Sequence, residues 1–165
     1  MKGSDISAQL EVYLKTNEQK IYRMAYSYTH NDADAKDMIQ NAIIKAFRSR
    51  SSLSRQEGME IWFYRILVNT CLDHLRSKRR RSFFPIDENL PDQQNHHDEL
   101  LLHEELWQLL KQLDDKTRTI LVLRYFEERQ LQEIASIMKL PLSTVKTRLY
   151  KGLQELRIQI KEQDL

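Results

Sequence analysis

Six residues near the C-terminus, Ser143, Thr144, Lys146, Thr147, Arg148 and Lys151, combine hydroxyls with positive charge inside the run PLSTVKTRLYKGLQELR (residues 141–157). Wound into a helix, this run puts Leu142, Val145, Leu149, Leu153 and Leu156 on one side. Ser143, Thr144, Thr147, Arg148 and Lys151 are then left on the other. Short hydrogen-bonding groups and an arginine near a helix N-terminus suit base edges in a DNA major groove, and lysines suit the flanking phosphates. A solvated face that merely keeps the helix soluble has the same composition, so the stretch alone leaves both readings open.

A second set recurs at helical spacing upstream. Trp62, Arg65, Asn69, Asp73 and Arg76 lie opposite an apolar stripe of Tyr64, Leu67, Val68, Cys71, Leu72 and Leu75. An aromatic ring beside amide and guanidinium groups is the chemistry of single-strand binding, by stacking and phosphate contact. Trp62 serves a core equally well. The set runs into a basic block, Arg76, Lys78, Arg79, Arg80 and Arg81, and an acidic stretch with Asp87, Glu88, Asp92, Asp98 and Glu99 follows it. The net charge of +2 therefore averages over two opposed blocks. A third set, Asp37, Gln40, Asn41, Ile44 and Arg48, sits on the side of its segment away from Met38, Ile39, Ala42, Ile43, Ala46 and Phe47. Taken alone it is a solvated helix face.

The elements that must carry these residues are helices. Only three glycines and three prolines occur in 165 residues, while Leu, Gln, Glu, Lys and Arg are abundant, so the fold class is all-α. Apolar periodicity predicts helices over Glu18 to His30, Asp34 to Arg48 and Glu60 to Lys78, with a serine-rich loop from Ser49 to Gly58. Residues 82–98, SFFPIDENLPDQQNHHD, hold two of the three prolines and break every helical pattern. They read as a flexible linker between two small helical domains, 1–81 and 99–165. In the second, helices are expected over Leu100 to Leu113, from the cap Asp114-Asp115 to about Phe126, and over Leu131 to Met138. The tight turn Lys139-Leu-Pro-Leu then leads into the last helix, with Ser143 as its N-cap. A short helix, a turn and a basic amphipathic helix make a helix-turn-helix, with Ala135 small enough to let the two helices cross. The Leu131 helix opens at Gln130 without a Ser or Asp cap, which predicts a frayed start.

Several function classes drop out. No glycine-rich phosphate loop and no nucleophile–base pair is present, so catalysis is not expected. His96 and His97 are adjacent and cannot both reach one ion from a regular helix, His103 stands apart, and Cys71 lies on a core stripe; neither metal nor cofactor is expected. One cysteine cannot make an internal disulfide, no apolar run approaches the ~20 residues that span a bilayer, and acids fill the N-terminal run MKGSDISAQLEVYLK. The expected compartment is the cytoplasm, without membrane insertion.

The order of the three sets carries a resemblance. Residues 34–47, DADAKDMIQNAIIKAF without its first two letters, resemble the second region of sigma-70-type transcription initiation factors. Residues 60–76, EIWFYRILVNTCLDHLR, are similar to the segment with which those factors melt and read the −10 promoter element. Glu133-Ile-Ala with Pro141 to Arg148 is similar to their C-terminal helix-turn-helix. Two such domains alone characterise the extracytoplasmic-function (ECF) group. The resemblance implies a dissociable RNA polymerase subunit that directs promoter-specific initiation. Asp37, Gln40, Asn41, Ile44 and Arg48 would dock on the clamp helices of the polymerase β′ subunit. Leu53, Ser54 and Arg55, in the loop before the third helix, would capture a flipped −10 base together with Trp62, Arg65, Asn69 and Asp73. Arg76, Lys78, Arg79 and Arg80 would hold phosphates. Ser143, Thr144, Lys146, Thr147, Arg148 and Lys151 would read the −35 element while their domain rests on the β flap. An anti-sigma factor, often membrane-bound in this group, is a further expected partner. Two other functions remain compatible: a dimeric helix-turn-helix regulator of a palindromic operator, and an adaptor that binds polymerase without reading a promoter. No unassigned apolar stripe is large enough to serve the dimer.

Overall fold

The computed structural model describes residues 3–53, 58–81 and 104–163. They form helices without a strand, and the chain divides into two compact units, Met1–Leu101 and Leu102–Leu165.

The first unit contains α1 (Gly3–Thr16), α2 (Glu18–Thr29), α3 (Asp32–Arg48), a 3-10 turn (Arg50–Ser52) and α4 (Met59–Arg81). Helices α2, α3 and α4 touch one another, and α3 contributes Ala35, Met38, Ala42 and Ala46 to the core, all fully buried. Three alanines on that stripe let neighbouring helices approach closely, while Phe63, Tyr64, Leu67, Val68 and Cys71 of α4 supply the bulk. Ile39, Ile43 and Phe47, expected in the same stripe, are only half-buried. Helix α2 stops where His30 turns left-handed (φ 53°), its N–H returning to the Tyr26 carbonyl at 2.8 Å. Asn31 then caps α3, its side chain accepting from the Asp34 N–H at 2.8 Å.

Helix α1 was absent from the sequence expectation. It buries Ile6 and Leu10 and sets Tyr13 edge-on against Phe63, with ring centroids 5.7 Å apart. Asn17 joins it to α2, its backbone N–H and side-chain amide both bonding to the Tyr13 carbonyl.

The second unit contains α5 (Glu104–Leu110), α6 (Asp115–Tyr125), α7 (Leu131–Met138) and α8 (Leu142–Gln163). Helix α6 is its centre: Thr117 to Leu123 are buried without interruption, as the consecutive apolar residues there require. Asp114 caps it as expected, accepting from the Thr117 N–H at 2.8 Å and the Thr117 hydroxyl at 2.9 Å. Arg118 is buried too, its guanidinium 5.5 Å from the Trp107 ring centre and 3.1 Å from Asp115.

Three local expectations change. The first helix of this unit spans Glu104–Leu110 among the described residues and closes in single turns at Gln112 and Leu113; the expected start at Leu100 lies outside them, as do the linker 82–98 and His96, His97 and His103. Helix α7 has a bonded rather than frayed start, because Glu133 reaches back to accept from the Gln130 N–H at 3.1 Å. Ser143 is not the N-cap of α8. The helix begins at Leu142, and the Pro141 carbonyl accepts from the Val145 N–H at 3.1 Å, so Ser143 lies within the first turn with its side chain exposed.

Candidate nucleic-acid interface

Helix α8 presents the C-terminal set. Val145 and Leu149 are buried, Leu142, Leu153 and Leu156 are half-buried, and Ser143, Lys146, Thr147 and Lys151 are exposed. Thr144 and Arg148 are half-exposed. The Thr147 hydroxyl donates to the Ser143 carbonyl at 2.9 Å, which leaves its lone pairs facing outward. A shallow depression of about 380 Å³ runs across this face between α8 and the start of α6, lined by Ser143, Thr144, Thr147, Arg148 and Lys151 with Asp114 and Thr117. Arg148 Nη1 lies 3.4 Å from Asp114 Oδ1. Burial pushes the Asp114 carboxyl up, yet the Thr117 hydrogen bonds and the charges of Arg148 and Lys151 outweigh that and hold it below the usual carboxylate range. One residue was missed: Tyr150, 63% exposed beside Lys151, offers an aromatic surface at the edge of the same face. Its place off the leucine stripe was the available signal.

The α4 set is split by depth. Asn69, Asp73, Arg76, Arg79 and Arg80 are exposed, and Arg65 is half-buried. Trp62 is 3% exposed, which corrects the expectation that its ring could stack on a base. Its indole N–H instead donates to the Ser52 hydroxyl at 3.0 Å, fastening the 3-10 turn to α4. Lys78 is committed as well: its ammonium lies 2.8 Å from Asp34, whose other oxygen is 3.6 Å from His74. It therefore crosslinks α3 to α4 rather than standing free for a phosphate. Asp73 and Arg76 pair loosely at 3.6 Å on the surface. Leu53 is half-buried after the turn, while Ser54 and Arg55 lie outside the described residues.

The α3 set keeps its predicted place. Asp37, Gln40, Asn41, Ile44 and Arg48 are all exposed, and Ile44 leaves 41% of its surface in solvent. Two depressions flank this face. An apolar groove of about 870 Å³ is lined by Leu14, Tyr22, Ile39, Ile43, Gln40 and Ile44, among others. A polar cleft of about 480 Å³ between α3 and α4 holds Asp37, Asn41, Arg48, Asp73 and Arg81. Among the described residues, no helix is long and apolar enough to cross a membrane.

These faces are those of two known modules. The model of sigma-70 region 2 matches residues 14–81, and that of sigma-70 region 4 matches residues 103–156. The RNA polymerase sigma factor SigV of Bacillus subtilis is 36% identical over 99% of this chain and 98% of its own length. The chain belongs to the ECF group of sigma-70-type sigma factors. The ECF sigma factor SigW of the same organism is 28% identical over 88% of this chain and 85% of its own. The sigma factor RpoE of Bartonella quintana, solved with the anti-sigma factor NepR, superposes with a TM-score of 0.74 at 19% identity, covering 93% of this chain and 97% of that one. CnrH, solved with the cytosolic domain of CnrY, gives 0.73 at 18% identity over 97% and 92%. At these identities the two solved structures establish the shared fold. As a sigma factor, the chain is a non-enzymatic subunit that directs RNA polymerase to begin transcription at promoters, which sets aside the dimeric regulator and the adaptor.

Proposed function

We propose that this ECF sigma factor divides its work among the three faces as follows. Residues 1–81 form the region 2 domain, 99–165 the region 4 domain, and 82–98 the linker between them. Asp37, Gln40, Asn41, Ile44 and Arg48 dock on the β′ clamp helices. Asn69, Asp73 and Arg65, with the loop residues Leu53, Ser54 and Arg55, receive an unstacked base of the −10 element. Arg76, Arg79 and Arg80 hold the adjacent phosphates, a sequence-independent and salt-sensitive contribution. Ser143, Thr144, Lys146, Thr147, Arg148 and Lys151 read the −35 element, with the region 4 domain on the β flap. An anti-sigma factor restrains the protein by covering the polymerase-facing surfaces, and the protein works in the cytoplasm, where core polymerase resides.

The observation that carries this reading is the α3 face. Five side chains of mixed chemistry, one of them an isoleucine, stay exposed on a helix whose opposite side carries the fully buried Ala35, Met38, Ala42 and Ala46. An apolar residue ringed by an acid, two amides and an arginine suits a protein partner better than a purely solvated surface. The test is transcription by bacterial core polymerase supplemented with this protein. Discrete 5′ ends preceded by a common −35/−10 pair are expected, and Asp37→Arg should abolish them by preventing capture of core enzyme. Normal capture by that variant would remove α3 from the polymerase interface.

A further inference from the structure

One side chain lining the α8 depression, Asp114 at the start of α6, is an acid, which a DNA-facing surface has an electrostatic reason to avoid. Asp114 lies 34 positions before Arg148, yet its Oδ1 meets the Arg148 guanidinium at 3.4 Å. Both of its oxygens are already occupied within the chain. Oδ1 accepts from the Thr117 N–H and Oδ2 from the Thr117 hydroxyl, so the carboxylate is locked at the start of α6 and cannot swing away. Thr117 is itself buried, which fixes the anchor in turn.

Arg148 is different. Its side chain is 35% exposed and long, and among the described residues Asp114 is its one ion-pair partner. An unrestrained arginine loses much rotamer freedom when it makes a forked contact to a base, and that loss lowers both affinity and discrimination. A fixed carboxylate 3.4 Å from Nη1 biases the guanidinium toward one orientation beforehand and leaves the remaining donors for DNA. The same carboxylate repels phosphates, so it weakens binding wherever Arg148 finds no base acceptor.

We propose that Asp114 is a positioning residue for promoter reading: seated at the α6 N-cap, it aims Arg148 at one base pair of the −35 element and suppresses binding to non-cognate sequence. The proposal rests on the reading of the α8 face as the −35 surface. Asp114 acts through Arg148 and does not itself need to touch DNA. Arginine's common forked partner is guanine, through O6 and N7, so the pair read by Arg148 should be G·C.

The test uses the full-length protein with bacterial core RNA polymerase on a promoter library randomised across the −35 element, scoring transcripts by template sequence. Asp114→Asn and Asp114→Ser both keep an N-cap, so α6 should stay folded in each at the assay temperature. Arg148→Ala should flatten the preference at one base pair, by roughly 5- to 150-fold. Both Asp114 variants should flatten the preference at that same pair by several-fold, leave the other positions unchanged, and raise initiation from non-cognate −35 sequences. Combined with Arg148→Ala, Asp114→Asn should flatten it no further. A role confined to stability would instead lower output evenly across the library, and that result overturns the proposal. So does an unchanged profile in both Asp114 variants when Arg148→Ala flattens its pair. If Arg148→Ala itself leaves every position unchanged, the −35 reading of α8 fails first, and the role of Asp114 falls with it.

Discussion

Trp62 lies in the core of the first unit, yet its polar edge reaches the 3-10 turn before α4. Its ring is interior, but its indole N–H holds Ser52, whose hydroxyl donates to the Ser49 carbonyl at 2.7 Å. The 3-10 turn leading into the loop is thus tied to α4 by one buried donor. Trp62→Phe keeps an aromatic core residue and loses that tie, together with some volume, for a cost of about 1–2 kcal/mol in the first unit. Core polymerase capture should persist while open-complex formation slows, which a fluorescent base analogue in the −10 element would report; equal slowing of both would deny Trp62 a loop-specific role. Asp114 yields a prediction in pH. Its folded carboxyl titrates below the ordinary value near ~3.9, so its contribution is fully present above that value and is lost as pH falls through the lower, folded one. The thermal-midpoint advantage of the wild-type protein over Asp114→Asn should therefore be constant from about pH 7 to pH 5 and shrink below about pH 4, as followed by circular dichroism of the second unit. An advantage that grows on acidification would reverse the sign of the Asp114 interactions.

At the level of elements, the crossing of α6 and α8 is set by Gly152. A Cβ there would stand 2.6 Å from Thr117 Cγ2 and 3.2 Å from Leu121 Cδ1. Thr117 cannot rotate its methyl aside without giving up its hydroxyl bond to Asp114. Alanine improves helix propensity by about 1 kcal/mol but overpacks the crossing by about 1–3 kcal/mol, so Gly152→Ala should destabilise the second unit by up to about 2 kcal/mol. Adding Thr117→Ser, which removes the obstructing methyl and keeps the hydroxyl, should recover most of that in a chemical-denaturation cycle; no recovery would place the clash elsewhere. Neither this crossing nor the Asp114–Arg148 link was legible in the sequence, because partners 34 positions apart leave no trace in a helical period. Lys78 was misread for the same reason, its partner Asp34 lying 44 positions away. What period alone specifies was legible: the exposed side of α3, the buried run of α6, the leucine stripe of α8 and the stop at His30. Helix α1 was legible too, from Ile6, Leu10 and Tyr13 at helical spacing, but acidic and polar neighbours obscured it. Trp62 failed at a boundary, since it heads a stripe whose later members, Asn69, Asp73 and Arg76, do reach the surface.

For the whole molecule, the decisive property is that each unit has its own core. Ile21, Met24, Met38, Phe63 and Leu67 close the first, and Trp107, Ile120, Leu123, Ile134 and Val145 close the second. Fragments 1–81 and 99–165 should therefore each fold when expressed apart. Their functions should separate unequally. The first carries the α3 face and should capture core polymerase alone; the second carries the α8 face, which should bind a short DNA site with little affinity in isolation. Joining them in one chain makes the second binding event intramolecular, an advantage of roughly 10²–10⁴ over free fragments. Mixed at the concentration where the intact chain saturates run-off transcription, the two fragments should give almost no −35-dependent product, and output should return as the second fragment is raised by about that factor. Full activity from an equimolar mixture would mean that the polymerase holds region 4 tightly enough by itself. The covalent connection would then contribute nothing to promoter choice, and selection at −35 would rest on the α8 face alone.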